Sequence, residues 1–327
     1  MLSGGQPRYT LPLMRRLMII ALLLVIALPG YAHEPKVRHD MLVTAGWLES
    51  HLGDRPGAVA TFFGKKEIVV LQVGRDRKAY DAGHVPGAQF VALGELAVKR
   101  NGVPNELPDD TALVETVRRL GLDRHKRIIL YDDADGLLAA RAWFTLDYLG
   151  LGTRAALLDG GWKKWRAEGR PDSTEVPPPR KPTSYKLRMP NDVVVLLPEV
   201  QEISHALLKG DRQRVALVDA RPEDDFTGAK AGEVARPGHI PGAEDVYWKE
   251  ALVSADNPVL RPPAELRALF EAAGAGAKKT NVTYCYSGVQ GAFDYFLLRY
   301  LGYDARLYDG SFSEWSAARQ TMVEKGK

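Results

Sequence analysis

Apolar positions in this chain fall into two kinds of pattern. EIVVLQV (67–73), RIILYD (127–132) and RAALLD (154–159) are short, nearly continuous apolar runs, the signature of strands buried on both faces. Between the last two, LLAARAWFTLDYL (137–149) spaces its apolar residues as a helix does. The second half repeats the scheme. RVALVDA (214–220), NVTYC (281–285) and ARLYD (305–309) predict strands, and PAELRALFEAA (263–273) and AFDYFLLRYL (292–301) predict helices. Pro262 and Pro263 suit the first turn of the former helix, where a missing N–H costs nothing. Strands alternating with helices give an α/β fold with small parallel sheets flanked by helices.

The halves also echo each other residue by residue. GHVPGA (83–88) returns as GHIPGA (238–243), and YDDADGLLAARAWFTLDYLGLGTRAALLDGGWKKW (131–165) parallels YCYSGVQGAFDYFLLRYLGYDARLYDGSFSEW (284–315). The period is too long for a solenoid and marks a duplicated domain. The segment 171–190, PDSTEVPPPRKPTSYKLRMP, is rich in proline and charge and predicts an extended, semi-rigid linker between domains at 40–170 and 191–320. The Gly-His-x-Pro-Gly-Ala hexads read first as backbone punctuation, so His84 and His239 are expected to be structural, as Trp162, Trp165 and Trp315 are expected to lie in the core.

Arg8, Arg15 and Arg16 precede LMIIALLLVIAL (17–28), and Pro29, Gly30 and a small residue at Ala32 follow. This order predicts a secretory signal peptide over 1–32, cut after Ala32, with an uncleaved anchor as the other reading. The expected location is periplasmic, with no membrane association after cleavage. Residues 1–32 hold three arginines and no acid, so their removal takes the formal charge from +3 to 0 and leaves no basis for nucleic-acid binding. A chain with one cysteine, Cys285, cannot form an intramolecular disulfide, so the thiol is either inert or kept for chemistry.

GHVPGA, GHIPGA, LLDGGWKKW, LYDGSFSEW and the loop CYSGVQG, taken in order and duplicated, resemble the tandem-domain rhodanese family of thiosulfate and 3-mercaptopyruvate sulfurtransferases. The resemblance implies two rhodanese-like domains, a nucleophilic cysteine in the second and a silent first copy. Here a carboxylate, Asp132 or Asp133 depending on the alignment, stands opposite Cys285.

After Cys285, the residues Tyr286, Ser287, Gly288, Val289, Gln290 and Gly291 must turn into a helix at the carboxyl edge of a parallel sheet, where such folds bind ligands. Inward-pointing amides and the helix dipole would make an anion nest and ease ionisation of the thiol. The expected chemistry is attack on a small sulfur donor, a Cys285 persulfide, and transfer to cyanide or a thiol, or to a protein acceptor, without metal or organic cofactor.

The resemblance implies substrate-binding arginines at the positions of Arg221 and Asp225; Arg221 matches and Asp225 does not. Arg236, Lys249 and Arg141 are candidates to compensate. Ser287 resembles mercaptopyruvate-type loops, where it would polarise the substrate together with His84, while an exported location favours thiosulfate. The rival readings are few. A phosphatase would need an arginine closing the loop, where Gly291 stands, and a disulfide oxidoreductase would need a second thiol. The remaining alternative is a periplasmic sulfur carrier that relays a persulfide to a protein partner, which Asp225 and the uncharged loop favour.

Overall fold

The structure is a computed structural model that describes residues 1, 35–52, 61–62, 66–230, 232 and 234–326. The chain divides into Met1–Glu34 and Pro35–Lys327. The predicted signal peptide, Met1 apart, lies outside the described residues.

Within Pro35–Lys327 the first half runs β1 (Leu42–Val43), α1 (Ala45–His51), β2 (Thr61–Phe62), β3 (Lys66–Gly74), α2 (Lys78–Ala82), β4 (Gln89–Ala92), β5 (Val98–Arg100), β6 (Val103–Glu106), α3 (Asp110–Arg119), β7 (Arg127–Tyr131), α4 (Leu137–Tyr148), β8 (Ala155–Leu158) and α5 (Gly161–Ala167). The second half runs β9 (Val194–Val195), α6 (Leu197–Leu208), β10 (Val215–Asp219), α7 (Glu223–Phe226), β11 (Glu244–Asp245), α8 (Pro263–Ala272), β12 (Thr280–Tyr284), α9 (Val289–Tyr300), β13 (Ala305–Tyr308) and α10 (Ser311–Ala317).

The two sheets share one strand order. In the first it is β1-β8-β7-β3-β4, all parallel, with β2 added antiparallel to β3. In the second it is β9-β13-β12-β10-β11, again all parallel. The duplicated sequence is therefore a duplicated topology, and the central strands β7 and β12 each feed the loop in question.

Burial on both faces explains the continuous apolar runs, since Ile128, Ile129 and Leu130 of β7 are fully buried, as Val282 and Tyr284 are in β12. Helices α4 and α9 follow those strands and pack on each other, so both are enclosed almost all round. Phe144 meets Tyr295 edge-on at 5.1 Å and Trp143 meets Phe296 at 5.2 Å, geometries worth about 1 kcal/mol each beyond area burial. One apolar cluster consequently runs through both halves, with a smaller cluster on the outer face of each sheet.

Residues 171–190 contain no helix and are pinned along the first half. Ser173 exchanges backbone hydrogen bonds with His84 at 2.9 Å in each direction, Thr183 donates to Arg118 O, and Arg180 pairs with Glu67. Trp165 and Trp315 are core residues, as expected; their indoles donate to Pro171 O at 2.8 Å and Met322 O at 2.7 Å, respectively.

Candidate active site

Cys285 stands one residue past the end of β12, at the carboxyl edge of the second sheet. Its backbone is fixed from the α10 side: Phe312 N donates to Cys285 O at 2.8 Å, Ser313 N to Tyr286 O at 3.0 Å, and Cys285 N to Ser311 Oγ at 3.3 Å. The loop turns into α9 at Gly288, whose φ of +80° favours glycine. A Cβ there would lie 3.0 Å from Arg141 Nη1 and 3.1 Å from Asp309 O, so space as well as conformation demands glycine. At Gly291 a Cβ would come within 2.9 Å of the Tyr284 carbonyl carbon, so this glycine lets α9 close down on the strand.

The result is the predicted nest. The backbone amides of Gly291, Ser287 and Gln290 lie close enough to the Cys285 sulfur to favour its ionised form. The first half shows what such a cradle holds. There Asp132 occupies the cysteine's place, because Trp162 N donates to Asp132 O at 2.9 Å just as Phe312 N does to Cys285 O. That contact selects Asp132 over Asp133 as the counterpart. The Asp132 carboxylate fills its own nest: Oδ1 accepts from Ala134 N at 2.9 Å and Gly136 N at 2.8 Å, and Oδ2 from Ala139 N at 2.8 Å. One copy of the loop is plugged by a side-chain anion; the other offers the same amides to a sulfur.

The expected ease of ionisation needs correction. Cys285 is only 1 % exposed, and burial pushes its pKa above the ordinary thiol value. Desolvation disfavours the thiolate more than three amides favour it, with the Asp219 charge adding to the rise. The sulfur in this geometry is therefore covered and protonated, not primed.

Beside the loop lies a pocket of about 210 Å³ whose wall includes Arg221, Asp225, Lys230, Val234, Tyr286 and Gln290. Arg221 is held by Asp219, with Nε at 2.9 Å from Oδ1 and Nη2 at 2.5 Å from Oδ2, and Nη2 also donates to Gly238 O at 2.8 Å. Burial opposes its charge, but Asp219 outweighs burial and keeps the guanidinium ionised. Its carbon lies 4.1 Å from the Phe312 ring centroid. Asp225 lines the same pocket, so the departure from the family arginine falls at the site itself. Lys230, which sequence reasoning missed, brings a cation there.

The other candidates are occupied elsewhere. Arg236 donates to the carbonyls of Trp315, Ser316, Ala318 and Thr321, clamping the C-terminal segment. Lys249 lies over Trp248 at 5.3 Å. His84 is also not where the resemblance implied: Nδ1 lies 2.9 Å from Tyr80 O, Nε2 lies 3.1 Å from Glu175 O, and the ring stacks on Tyr80 at 3.9 Å. His239 is built the same way, on Phe226. Both hexad histidines brace turns, the role that the residues alone suggest.

The first-half residue that meets Ser287 is instead Asn105, whose Nδ2 donates to Ser287 Oγ at 2.9 Å. Arg141 reaches the loop from α4, with Nη1 2.5 Å from Asp309 Oδ1 and 3.3 Å from Gly288 O. Asp309 Oδ2 in turn accepts from Leu107 N at 2.7 Å. The first half thus buttresses the Cys285 loop. Nothing in local sequence marks Asn105, since its partner is 182 positions away. Among the described residues no group of three or more His, Cys, Asp or Glu could hold a metal ion.

Comparison with known proteins agrees with this geometry. The rhodanese-like domain profile matches residues 58–168 and 201–318. The sulfur carrier protein TtuD of Thermus thermophilus is 30 % identical over 313 residues, covering 91 % of this chain and 99 % of the relative. A thiosulfate sulfurtransferase of Corynebacterium glutamicum is 30 % identical over 312 residues, 91 % of this chain and 95 % of the relative. The 3-mercaptopyruvate sulfurtransferase of Escherichia coli is 29 % identical over 296 residues, 87 % and 98 % of the two chains. Among solved structures, YnjE shares the fold with a TM-score of 0.77 at 22 % identity, over 89 % of this chain and 70 % of that one.

Proposed function

The chain belongs to the rhodanese-like family, with two copies of the domain, and from that premise we propose that it transfers a sulfane sulfur from a small anionic donor through a persulfide on Cys285. Thiosulfate is the favoured donor and 3-mercaptopyruvate the next. In the first step the Cys285 thiolate attacks the outer sulfur of thiosulfate; the S–S bond of the donor breaks, sulfite leaves with its electron pair, and the enzyme retains Cys–S–S⁻. In the second step cyanide or a thiolate attacks that outer sulfur, the Sγ–S bond breaks and the Cys285 thiolate returns. Relatives named thiosulfate and 3-mercaptopyruvate sulfurtransferase support the reaction class.

The observation that carries the proposal is the placement of the sole cysteine between β12 and α9, where the backbone amides of Gly291, Ser287 and Gln290 favour its ionised sulfur. A persulfide is more acidic than its parent thiol, so the same cradle suits the loaded anion better than the resting thiol. The covered sulfur makes loading the slow, gated step. The test is cyanolysis with each donor, read as thiocyanate, together with intact mass. Loading should add about 32 Da to the wild type and nothing to Cys285→Ser, which should also make no thiocyanate. A wild type that acquires no such mass from either donor refutes the proposal.

A second reading, a sulfur carrier serving a protein acceptor, draws on the buried thiol and on the relative named a sulfur carrier. Persulfide formation without small-molecule turnover would select it. The proposal extends to location: residues 1–32 direct export and the mature chain starts at His33 in the periplasm. The mass of the N-terminal peptide in the periplasmic fraction checks this, and an intact leader on cytoplasmic protein would sink it.

A further inference from the structure

Three charged groups converge on the pocket beside the cysteine loop with ionic capacity to spare. Asp225 and Lys230 both line it, and among the described residues neither makes an ion pair. The Arg221 guanidinium spends Nε and Nη2 on Asp219 and Gly238 O, which leaves Nη1 without a hydrogen-bond partner among the described residues. The Asp219 charge cancels that of Arg221, and Asp225 cancels that of Lys230. Among the described residues the lining is therefore balanced in charge while presenting a carboxylate on one residue and cationic donors on two others. A ligand with both charges can satisfy all three groups.

Resting on the proposed sulfur transfer, we infer that the pocket selects a zwitterionic amino-acid thiol as the sulfur acceptor, with Asp225 taking its ammonium group and Arg221 and Lys230 its carboxylate. Asp225 is then a specificity-determining residue, and its carboxylate is the reason an arginine is absent. The size agrees, since about 210 Å³ accommodates a molecule of cysteine's dimensions. Tyr286 and Gln290, both from the loop that follows Cys285, line the same pocket and are where the acceptor's thiol would approach the persulfide. The step conserves charge: the acceptor thiolate attacks the outer sulfur of Cys285–S–S⁻, the Sγ–S bond breaks, and an amino-acid persulfide leaves as the Cys285 thiolate reforms. A site built to pair an ammonium group rejects the analogue that lacks it, because its own carboxylate is then left without a partner.

Binding to folded Cys285→Ser protein tests this without any sulfur chemistry. Calorimetric titration should give cysteine an affinity about ten-fold or more above that of 3-mercaptopropionate, which has the thiol and carboxylate but no ammonium group. Adding Asp225→Asn should shrink the gap to within about two-fold. Adding Lys230→Ala should weaken cysteine and 3-mercaptopropionate together and leave cysteamine, which has no carboxylate, unaffected. Equal binding of cysteine and 3-mercaptopropionate, or a gap that survives Asp225→Asn, overturns the inference. A wild-type protein that takes up no sulfur would overturn the sulfur-transfer reading instead, and the two failures are told apart because the binding variant has no nucleophile.

Discussion

At the scale of single residues, the site is a contest between desolvation and hydrogen bonding around one sulfur. Because burial wins in the covered geometry, the thiolate fraction at neutral pH is below that of a free cysteine. Alkylation by iodoacetamide should accordingly be slower than for a free thiol, and its rate should climb with pH to a midpoint above the ordinary thiol value. A midpoint below that value would show that the amides prevail in solution. Tyr286→Gly takes a ring from the pocket wall next to the cysteine and should speed alkylation at fixed pH. Asp225→Arg should raise kcat/KM for thiosulfate several-fold by replacing a repelling charge with an attracting one; unchanged or poorer kinetics would remove Asp225 from the donor's path. The placement of the lone cysteine and its glycine-bearing loop between a strand and a helix was legible in the sequence. The thiol's burial was not, because burial depends on the apolar cluster that Cys285 joins, drawn from both halves of the chain.

At the scale of elements, the matched loops after β7 and β12 form an internal control. In the first, the Asp132 carboxylate accepts three amides that would otherwise be buried without acceptors. Asp132→Ala should cost about 3 kcal/mol, read by urea unfolding, and should leave the number of sulfurs loaded per chain at its wild-type value. Arg141 ties α4 to the active loop through Asp309, a buried ion pair. Removing one partner strands the other, so Arg141→Met should destabilise by about 3 kcal/mol, with much of the loss recovered when Asp309→Leu is added. Strand and helix positions were readable from their periodicity, and the silent copy from its carboxylate. The buttress was not, since it joins residues of opposite halves that no local pattern connects.

At the scale of the whole molecule, duplication was plain in the repeated motifs, while the manner of joining the copies was not, because helices packed all round look alike whatever they pack against. One consequence of the joining is a dependence on pH. Glu106, on the β5–β6 hairpin of the first half, faces Asp309 and Glu314 of the second, and burial followed by these two charges raises its pKa to about 7. The folded state therefore holds this proton more tightly than the unfolded chain. The resulting stability is full below the carboxyl's ordinary value and is lost as pH rises through about 7. Glu106→Gln should be close to neutral at about pH 4 and should stabilise by about 1 kcal/mol at pH 8, a figure reduced because the carboxyl is only part-buried. An equal effect at both pH values would show that the carboxyl does not titrate abnormally. The joining also decides what can be severed. Since α9 starts at the cysteine loop and lays Tyr295 and Phe296 against α4, a lone second copy would bare an oily flank directly behind its own nucleophile. Such a half-molecule should clump or pair with itself, so the partner that lost its sulfur survives as the lining of the one that kept it.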